Sequence, residues 1–251
     1  MLNIVLPMAG HGSRFAKAGY ADPKPLIPMG DKSMIEVVVD NLRPSRAHRF
    51  IFVCQQAHLD EFGLAARLER IAPGCTIVPV SQVTEGAACT VLLARRLIDN
   101  DDALMIANCD QYVDIQIDDY LVRMDDDGLD GLIMTMTAND PKWSFLRLDT
   151  DASIIEVVEK QVVSNEATVG IYNYARGRDF VTAANAMIGR GLRVNGEFYV
   201  APAYNEMIAA RYRLSFHNIG HDRASMYGLG TPEDLDYFMT YQFGRLLGSA
   251  V

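Results

Sequence analysis

The sequence predicts an α/β fold over roughly the first 110 residues. Two observations carry this prediction: short apolar runs of strand length alternate with longer amphipathic stretches, and the order is strand, helix, strand, helix. That order favours parallel strands joined by right-handed crossovers. It also places ligands beyond the carboxyl ends of the strands.

The elements of the first half follow one another regularly. Strands are expected at residues 2–6, 50–54, 76–80 and 103–107, and helices at residues 34–42, 59–71 and 87–98. The first of these helices opens with Ser33 and Glu36, which have the S-x-x-E spacing of a capping box.

The second half is less regular. Strands are expected at residues 131–137, 145–148, 154–158 and 168–174, and helices at residues 179–188, 202–210 and 232–247. The last helix has Thr231 as its N-cap and Pro232 at its first position. We expect the strands of this half to form a smaller lobe continuous with the first sheet.

Composition and charge exclude several classes of protein. The chain has 251 residues, of which 49% are hydrophobic and 22% charged, so it is an ordinary globular sequence with room for one α/β domain and an embedded lobe. Its net charge of −9 argues against a general nucleic-acid or anionic-membrane surface. An anionic ligand must therefore meet a local basic patch.

Targeting and cysteine signals are weak. The amino terminus lacks a basic region and a long apolar run, and no stretch approaches the roughly 18 apolar residues of a membrane span. The four cysteines are scattered singly, which predicts neither a disulfide framework nor a zinc site. A cytoplasmic protein with reduced thiols is the simplest interpretation.

The placement of lysines singles out the amino-terminal segment. The chain has five lysines, Lys17, Lys24, Lys32, Lys142 and Lys160, and three of them fall within the first 32 residues. This segment is locally cationic in an acidic protein. It is either a solvated basic face or a cradle for phosphate.

A glycine-containing loop directly after the first strand favours the cradle. Gly10 and Gly12 bracket a turn where the backbone can approach a ligand and direct its N–H groups at oxyanions. The loop is not a dinucleotide fingerprint, because Phe15 replaces the third glycine, and no G-K-[ST] makes it a Walker loop. Arg14 closes it, and ten residues later two prolines flank Lys24 and restrict its backbone. The alternative is a tight turn followed by a surface loop.

This ordered combination resembles the sugar-phosphate nucleotidylyltransferase family. Its opening signature is a Gly-rich loop ending in Arg, followed by a Pro-flanked Lys. The resemblance continues through N-C-D at 108–110, V-E-K at 158–160, V-G at 169–170 and L-G-T-P-E-D at 229–234. It implies a Rossmann-like three-layer α/β sandwich with a mainly parallel central sheet and a smaller acceptor-binding lobe. Residues 1–251 would form one nucleotidyltransferase domain, with a nucleotide-binding half up to about residue 110 and an acceptor-binding half from about 111.

The implied reaction transfers NMP from an NTP to a phosphorylated acceptor, with a sugar 1-phosphate as the leading candidate, and releases pyrophosphate. The attacking phosphate is already ionised, so the protein needs no general base. It needs in-line positioning and neutralisation of several negative charges. The sequence agrees, because it offers cations, glycines and an acidic metal ligand but no evident Ser-His-Asp set.

The resemblance assigns roles on the nucleotide side. Arg14 would contact the triphosphate and leaving pyrophosphate, Lys24 would neutralise the α-phosphate region, and Asp110 would bind Mg²⁺, which prefers oxygen ligands. The nucleotide-binding set is Ala9, Gly10, Gly12, Ser13, Gln82, Gly86 and Asp110, with Gln82 and Gly86 reading the base. As alternatives, Asp110 is a helix N-cap and Gly86 is simply a small residue that opens a helix.

On the acceptor side, Lys160 would hold the acceptor's phosphate and is the third catalytic candidate. The acceptor-binding set is Glu159, Lys160, Gly170 and Glu197. The alternative for Lys160 is an ion pair with Glu156 or Glu159.

The chain departs from the family pattern at three places. Ala9 replaces one of two adjacent glycines, Gln161 stands where proline is common, and Gly228 occupies the usual position of a second metal-binding Asp. Asp222 is a possible substitute for that carboxylate. These departures point to a divergent branch with an unusual acceptor, such as a non-sugar phosphate.

Three other functions stay open from the sequence. One is a cytidylyltransferase for a phosphorylated amino acid or polyol, and another is a catalytically silent binding module. The third is a glycosyltransferase using the 108–110 segment as its D-x-D motif, which leaves Arg14 and Lys24 unexplained. The expected partners are an NTP and a small phosphorylated metabolite, without nucleic acid or membrane. We also predict a possible homo-oligomer and an NDP-sugar product for surface polysaccharide.

Overall fold

The computed structural model describes residues 1–10 and 12–247, and His11 and residues 248–251 lie outside the described part. In chain order the strands are β1 (Leu2–Met8), β2 (Pro28–Met29), β3 (Lys32–Ser33), β4 (His48–Gln55), β5 (Thr76–Val80), β6 (Ala103–Ala107), β7 (Gln111–Val113), β8 (Gly131–Thr137), β9 (Ser144–Leu148), β10 (Ile154–Glu159), β11 (Glu166–Tyr174), β12 (Leu214–His221) and β13 (Met226–Gly228).

The helices are α1 (Ser13–Lys17), α2 (Met34–Leu42), α3 (Gln56–Phe62), α4 (Leu64–Ile71), α5 (Ala87–Leu92), α6 (Arg95–Ile98), α7 (Ile117–Asp126), α8 (Gly177–Gly189), α9 (Tyr204–Ala209), α10 (Pro232–Tyr241) and α11 (Phe243–Leu247). Two short 3₁₀ turns, Lys24–Leu26 and Ala201–Ala203, join them.

One large sheet runs through the whole protein. Its order is β10-β9-β11-β6-β1-β4-β5, with β8 paired to β11 and β12 paired to β8. The first-half strands β6, β1, β4 and β5 are parallel, whereas β11 pairs antiparallel with β6, β8 and β9. The predicted α/β class with parallel central strands is therefore confirmed, and the second-half strands extend the same sheet.

The sheet has an apolar core on each face, which gives three layers. Along β1, Ile4 and Leu6 face one core and Val5 faces the other, as the two-residue period of a strand requires. Helices α2, α4, α7 and α10 bury side chains in the first core, and α5, α8 and α9 in the second. Because both faces are covered, the central strands are apolar on both sides.

Several predicted helices are interrupted. The helix expected at 59–71 is two helices, because Gly63 adopts a left-handed conformation (φ 60°) between α3 and α4. The helix expected at 87–98 is likewise divided into α5 and α6, and that at 232–247 into α10 and α11. The capping box of Ser33 and Glu36 and the N-cap of Thr231, which accepts from the Asp234 N–H at 3.1 Å, are confirmed.

Seven elements were not predicted from the sequence: α1, β2, β3, β7, α7, β12 and β13. The short strands β7 and β13 pair antiparallel and place Gly228 opposite Gln111. This pairing brings residues near 230 beside the carboxyl end of β6. Each helix of the described residues is too short or too polar to cross a membrane.

Candidate active site

The loop after β1 lies at the carboxyl edge of the parallel strands. Gly12 has a left-handed φ of 59°, and a Cβ added there would lie 3.5 Å from the Lys24 Cβ. The loop therefore rests on the Lys24 segment. Ala9 is buried beneath the loop, where its methyl group packs in the second core.

Gln55 fixes the loop from the neighbouring strand. Its side-chain amide donates to the carbonyl of Ala9 at 3.1 Å and to that of Gly10 at 2.8 Å. The sequence analysis missed Gln55. The available signal was its position at the end of an apolar strand parallel to β1, where side chains meet the same edge of the sheet.

Lys24 and Asp110 form an ion pair at this edge. The Lys24 ammonium donates to Asp110 Oδ2 at 2.7 Å, and the two side chains are 21% and 26% exposed. Burial is the largest influence on the pKa of Lys24 and acts to lower it, but the Asp110 charge, the nearby Cys109 and the hydrogen bond to Asp110 together raise that pKa above its ordinary value. The lysine is therefore held as a cation beside the proposed metal ligand.

The G-T-P segment closes over Asp110. The Leu229 N–H donates to the Asp110 carbonyl at 2.8 Å. A Cβ on Gly230 would lie 2.6 Å from Asp110 Oδ2, so only glycine fits without displacing the carboxylate. The segment singled out by the family resemblance thus lies directly on the acidic residue, although they are far apart in sequence.

Three cavities meet around Arg14. The loop cavity is lined by Gly12, Ser13, Arg14, Phe15, Lys24 and Gly230. The Asp110 cavity, of about 230 Å³, adds Asn108, Asp110, Gln111, Lys142, Trp143, Gly228, Thr231 and Asp234 to Arg14. The Lys160 cavity, of about 350 Å³, is lined by Arg14 with Glu159, Lys160, Gly170, Glu197, Tyr199 and others. Arg14 lines all three.

Lys160 and its neighbours form the far wall of the Lys160 cavity. The Lys160 ammonium donates to the Tyr199 hydroxyl and lies 4.6 Å from the centre of that ring. Within the described residues it makes no ion pair with Glu156, which pairs with Arg147 at 2.8 Å, or with Glu159. The structural alternative for Lys160, an ion pair with either glutamate, is therefore wrong.

Glu159 has a different environment from an exposed glutamate. It accepts a hydrogen bond from the Ser144 hydroxyl. Burial raises its pKa, and the Ser144 hydrogen bond and the Lys160 charge act in the opposite direction. A carboxylate kept half-buried in a cavity is suited to accepting hydrogen bonds from ligand hydroxyls.

Gly170 allows Asn108 to approach β11 closely. Gly170 has a φ of 82° where β11 departs from regular pairing, and its carbonyl accepts from the Asn108 N–H at 3.0 Å. A Cβ at this position would lie 2.1 Å from the Asn108 side-chain nitrogen. This close contact places Asn108, two residues before Asp110, in the lining of the Lys160 cavity beside Gly170.

The turn containing Gln82 and Gly86 contacts the segment around Phe198. Gly86 has a φ of 128°, and a Cβ there would lie 2.5 Å from the Phe198 carbonyl oxygen. The Phe198 N–H donates to the Glu85 carbonyl at 2.8 Å. Gly86 is thus required by close packing. Gln82 is exposed and lies outside the lining of the three cavities.

Asp222, suggested as a substitute for the carboxylate missing at Gly228, lies beside the Asp110 cavity rather than in its lining. Its Oδ2 lies 3.9 Å from the Lys142 ammonium. Asp234 lines that cavity instead, and a Cβ on Gly228 would lie 3.7 Å from its Oδ2. Within the described residues, no group of three or more His, Cys, Asp or Glu side chains could hold a metal ion.

Comparisons with known proteins identify a family and a curated relative that this chain matches. Residues 3–185 match the nucleotidyl transferase family. The chain is 26% identical over 180 residues to the catalytic subunit beta of mannose-1-phosphate guanylyltransferase from Danio rerio, covering 69% of this chain and 50% of the relative. The chain thus spans about half the length of that curated relative.

Solved structures share the fold. A nucleoside-diphosphate-sugar pyrophosphorylase from Vibrio cholerae RC9 superposes with a TM-score of 0.80 at 24% identity, covering 94% of this chain and 99% of the other. A putative glucose-1-phosphate thymidylyltransferase from Bacillus anthracis gives a TM-score of 0.71 at 20% identity, covering 94% and 93%. These likenesses support the Rossmann-like three-layer architecture.

Proposed function

Because this chain belongs to the nucleotidyl transferase family, we propose that it transfers NMP from an NTP to a phosphorylated acceptor, a sugar 1-phosphate, and releases pyrophosphate. The observation that carries this proposal is the meeting of three cavities at Arg14, with the paired Lys24 and Asp110 beside it. The sugar 1-phosphate class is supported by the guanylyltransferase relative, whose name gives mannose 1-phosphate as its substrate.

The chemistry requires charge neutralisation rather than proton transfer. An ionised phosphate oxygen of the acceptor attacks the α-phosphorus, and the bond to the leaving pyrophosphate breaks. Arg14 binds the triphosphate and the departing pyrophosphate, and Lys24 neutralises the α-phosphate region. Lys160 holds the acceptor's phosphate in the Lys160 cavity. Each such contact contributes about 3 kcal/mol at the transition state, or on the order of 100-fold in rate.

Magnesium belongs to the same proposal, and Asp110 would hold it. The donor set fits a hard cation that takes one or two carboxylates and completes its shell with water and substrate phosphates. Asp234 is the second carboxylate that lines the Asp110 cavity. When bound, magnesium would draw charge from the α-phosphate oxygens. Lys24 already donates to Asp110 Oδ2, so the ammonium and the triphosphate share this edge of the cavity.

The remaining residues orient the two substrates. The backbone of Ala9, Gly10, Gly12 and Ser13 surrounds the phosphates of the nucleotide, and the turn with Gln82 and Gly86 reads its base. Glu159, Glu197 and the backbone of Gly170 hold the hydroxyls of the acceptor. We propose the matching division of the chain into a nucleotide-binding half up to about residue 110 and an acceptor-binding half beyond it.

A transferase that consumes a triphosphate is favoured over a glycosyltransferase. A glycosyltransferase needs a carboxylate such as Asp110, but it has no triphosphate to engage Arg14 and Lys24 in the loop cavity. A cytidylyltransferase for another phosphorylated metabolite differs only in base and acceptor. A cytoplasmic location, a homo-oligomer and a role in surface polysaccharide stay predictions.

One assay tests the proposed function. The protein is incubated with Mg²⁺, each of the four common NTPs and a panel of sugar 1-phosphates, phosphorylated polyols and phosphorylated amino acids, and pyrophosphate is measured. We expect release that requires both an NTP and a sugar 1-phosphate. Arg14→Met should lower the turnover number about 100-fold, whereas Arg96→Met, at an exposed position on α6, should not change it. Consumption of NDP-sugar without pyrophosphate would support a glycosyltransferase instead.

A further inference from the structure

Four residues line both the Asp110 cavity and the Lys160 cavity: Arg14, Asn108, Lys142 and Trp143. They mark the junction between the two. If the proposed function holds, an acceptor phosphate in the Lys160 cavity must reach an α-phosphate beside Asp110. The new bond therefore has to form at this junction, where the negative charges of two phosphate groups come together.

Lys142 presents at the junction an ammonium group that forms ion pairs with Asp140 and Asp222 but donates no hydrogen bond within the described residues. Its Nζ lies 3.7 Å from Asp140 Oδ2 and 3.9 Å from Asp222 Oδ2, beyond hydrogen-bond distance in both cases. It also lies 4.8 Å from the centre of the Trp143 ring. These contacts hold the group near the cavity and leave its N–H donors available, whereas Lys24 and Lys160 each donate to a protein oxygen.

Trp143 carries a second donor without a partner within the described residues, and its indole nitrogen has almost no solvent exposure. A buried N–H without a partner costs free energy, which a ligand oxygen would recover. Two consecutive residues thus offer donors, and both residues line the same junction.

The other charges near the junction are already balanced. Asp110 pairs with Lys24 at 2.7 Å, and Asp234 pairs with Arg223 at 3.1 Å. Arg14 and Lys142 are the basic side chains that line both cavities. Two cations therefore line the junction where the two phosphates would meet, and Asp140 and Asp222 offset part of the Lys142 charge.

We propose that Lys142 is a further catalytic residue, whose ammonium binds the phosphate oxygens at this junction, with the Trp143 indole N–H donating to the same group. This rests on the proposed nucleotidyl transfer. In that step an acceptor phosphate oxygen forms a bond to the α-phosphorus. The bond from that phosphorus to the bridging oxygen breaks, and pyrophosphate leaves with the electron pair. Lys142 stays protonated and no proton moves.

The test compares Lys142→Met and Lys142→Arg with Lys32→Met. Lys32 is a matched control, because its side chain is 42% exposed, like that of Lys142, and it lines none of the three cavities. We expect Lys142→Met to lower kcat about 100-fold while Tm and the Kd for NTP stay close to those of Lys32→Met. Lys142→Arg keeps the charge and should recover at least about tenfold of the loss.

Either of two turnover results would overturn the role of Lys142: turnover of Lys142→Met within threefold of the control, or Lys142→Arg as impaired as Lys142→Met. An effect confined to NTP binding would also overturn it. A wild-type protein without turnover on any acceptor would instead refute the proposed function. The fluorescence of Trp143, the single tryptophan, gives a second readout. Adding the accepted sugar 1-phosphate should change it in the wild type and much less in Lys142→Met, and equal changes would count against the contact.

Discussion

The Lys24–Asp110 pair gives a quantitative test of the site's geometry. At 2.7 Å and an effective dielectric constant of about 20, the attraction is about 6 kcal/mol, and the desolvation of both groups offsets much of it. Breaking a fully buried pair costs about 3–5 kcal/mol and breaking an exposed one less than about 1 kcal/mol. With side chains 21% and 26% exposed, this pair lies between those limits.

A double-mutant cycle measures that coupling. We expect Lys24→Met to lower the free energy of unfolding by about 2 kcal/mol and Asp110→Asn by about 3 kcal/mol. The second costs more because it leaves Lys24 beside Arg14, whose charge disfavours a second cation. The double variant should cost about 3 kcal/mol, well below the sum of the single changes, which gives a coupling near 2 kcal/mol.

The assay is urea unfolding followed by circular dichroism at pH 7 and pH 9. The pKa of Lys24 is raised in the folded state, so its stabilising contribution is complete below the unfolded value of 10.5 and is lost only as the pH rises through the folded value. The cost of Lys24→Met should therefore be the same at both pH values. Additive single changes, with a coupling below about 0.3 kcal/mol, would refute the pair.

Three further predictions concern residues around the cavities. Glu159→Gln should raise Tm at pH 7, because it removes a half-buried charge. Since the folded pKa of Glu159 is raised, this gain in Tm should shrink as the pH falls and vanish below pH 4.5. A gain in Tm that persists in acid would contradict this. Gly86→Ala should lower the free energy of unfolding in urea by about 3 kcal/mol, because of the positive φ and the overlap of the new Cβ with the Phe198 backbone. Gly63→Ala, at a glycine with a positive φ and open space, should lower it by about 1 kcal/mol. Equal losses would exclude the overlap. Thr231→Ala should cost about 1 kcal/mol by losing the N-cap of α10, and an unchanged Tm would show that the cap contributes nothing.

The fold was predictable where local signals were strong. The apolar strands β5, β6 and β8 have the predicted bounds. In β6 and β8 the buried run is nearly continuous and leaves little choice of register. The helix breaks were harder to predict. Gly63 looks like a tolerated glycine in an amphipathic pattern, and only the packing of α3 and α4 on the sheet selects its left-handed conformation.

Short strands and long-range pairings could not be predicted from the sequence. The strand β13 has three residues, and its stability depends on pairing with β7 more than 100 residues earlier. No local pattern encodes that contact. Because the pairing sets Gly230 on Asp110, the most specific feature of the Asp110 cavity is also the one least visible in the sequence.

The candidate site was predicted in part. Arg14, Lys24 and Asp110 could be singled out because strand ends, glycines and prolines constrain them locally, and the structure brings them together. Gln55 was missed, because its position at the end of an apolar strand was the one signal available and a glutamine there has no distinctive motif. The suggestion that Asp222 replaces a carboxylate at Gly228 stays a prediction, and Asp222 Oδ2 lies 3.9 Å from the Lys142 ammonium at the edge of the Asp110 cavity.

The most direct test of the central claim is the reverse reaction followed by ³¹P NMR. An NDP-sugar of the preferred base and sugar is mixed with pyrophosphate, magnesium and the protein. The account predicts that NTP and sugar 1-phosphate appear together in equal amounts, and that Asp110→Asn and Lys24→Met both suppress them. Resonances of free NDP without NTP, or full conversion by both variants, would contradict it.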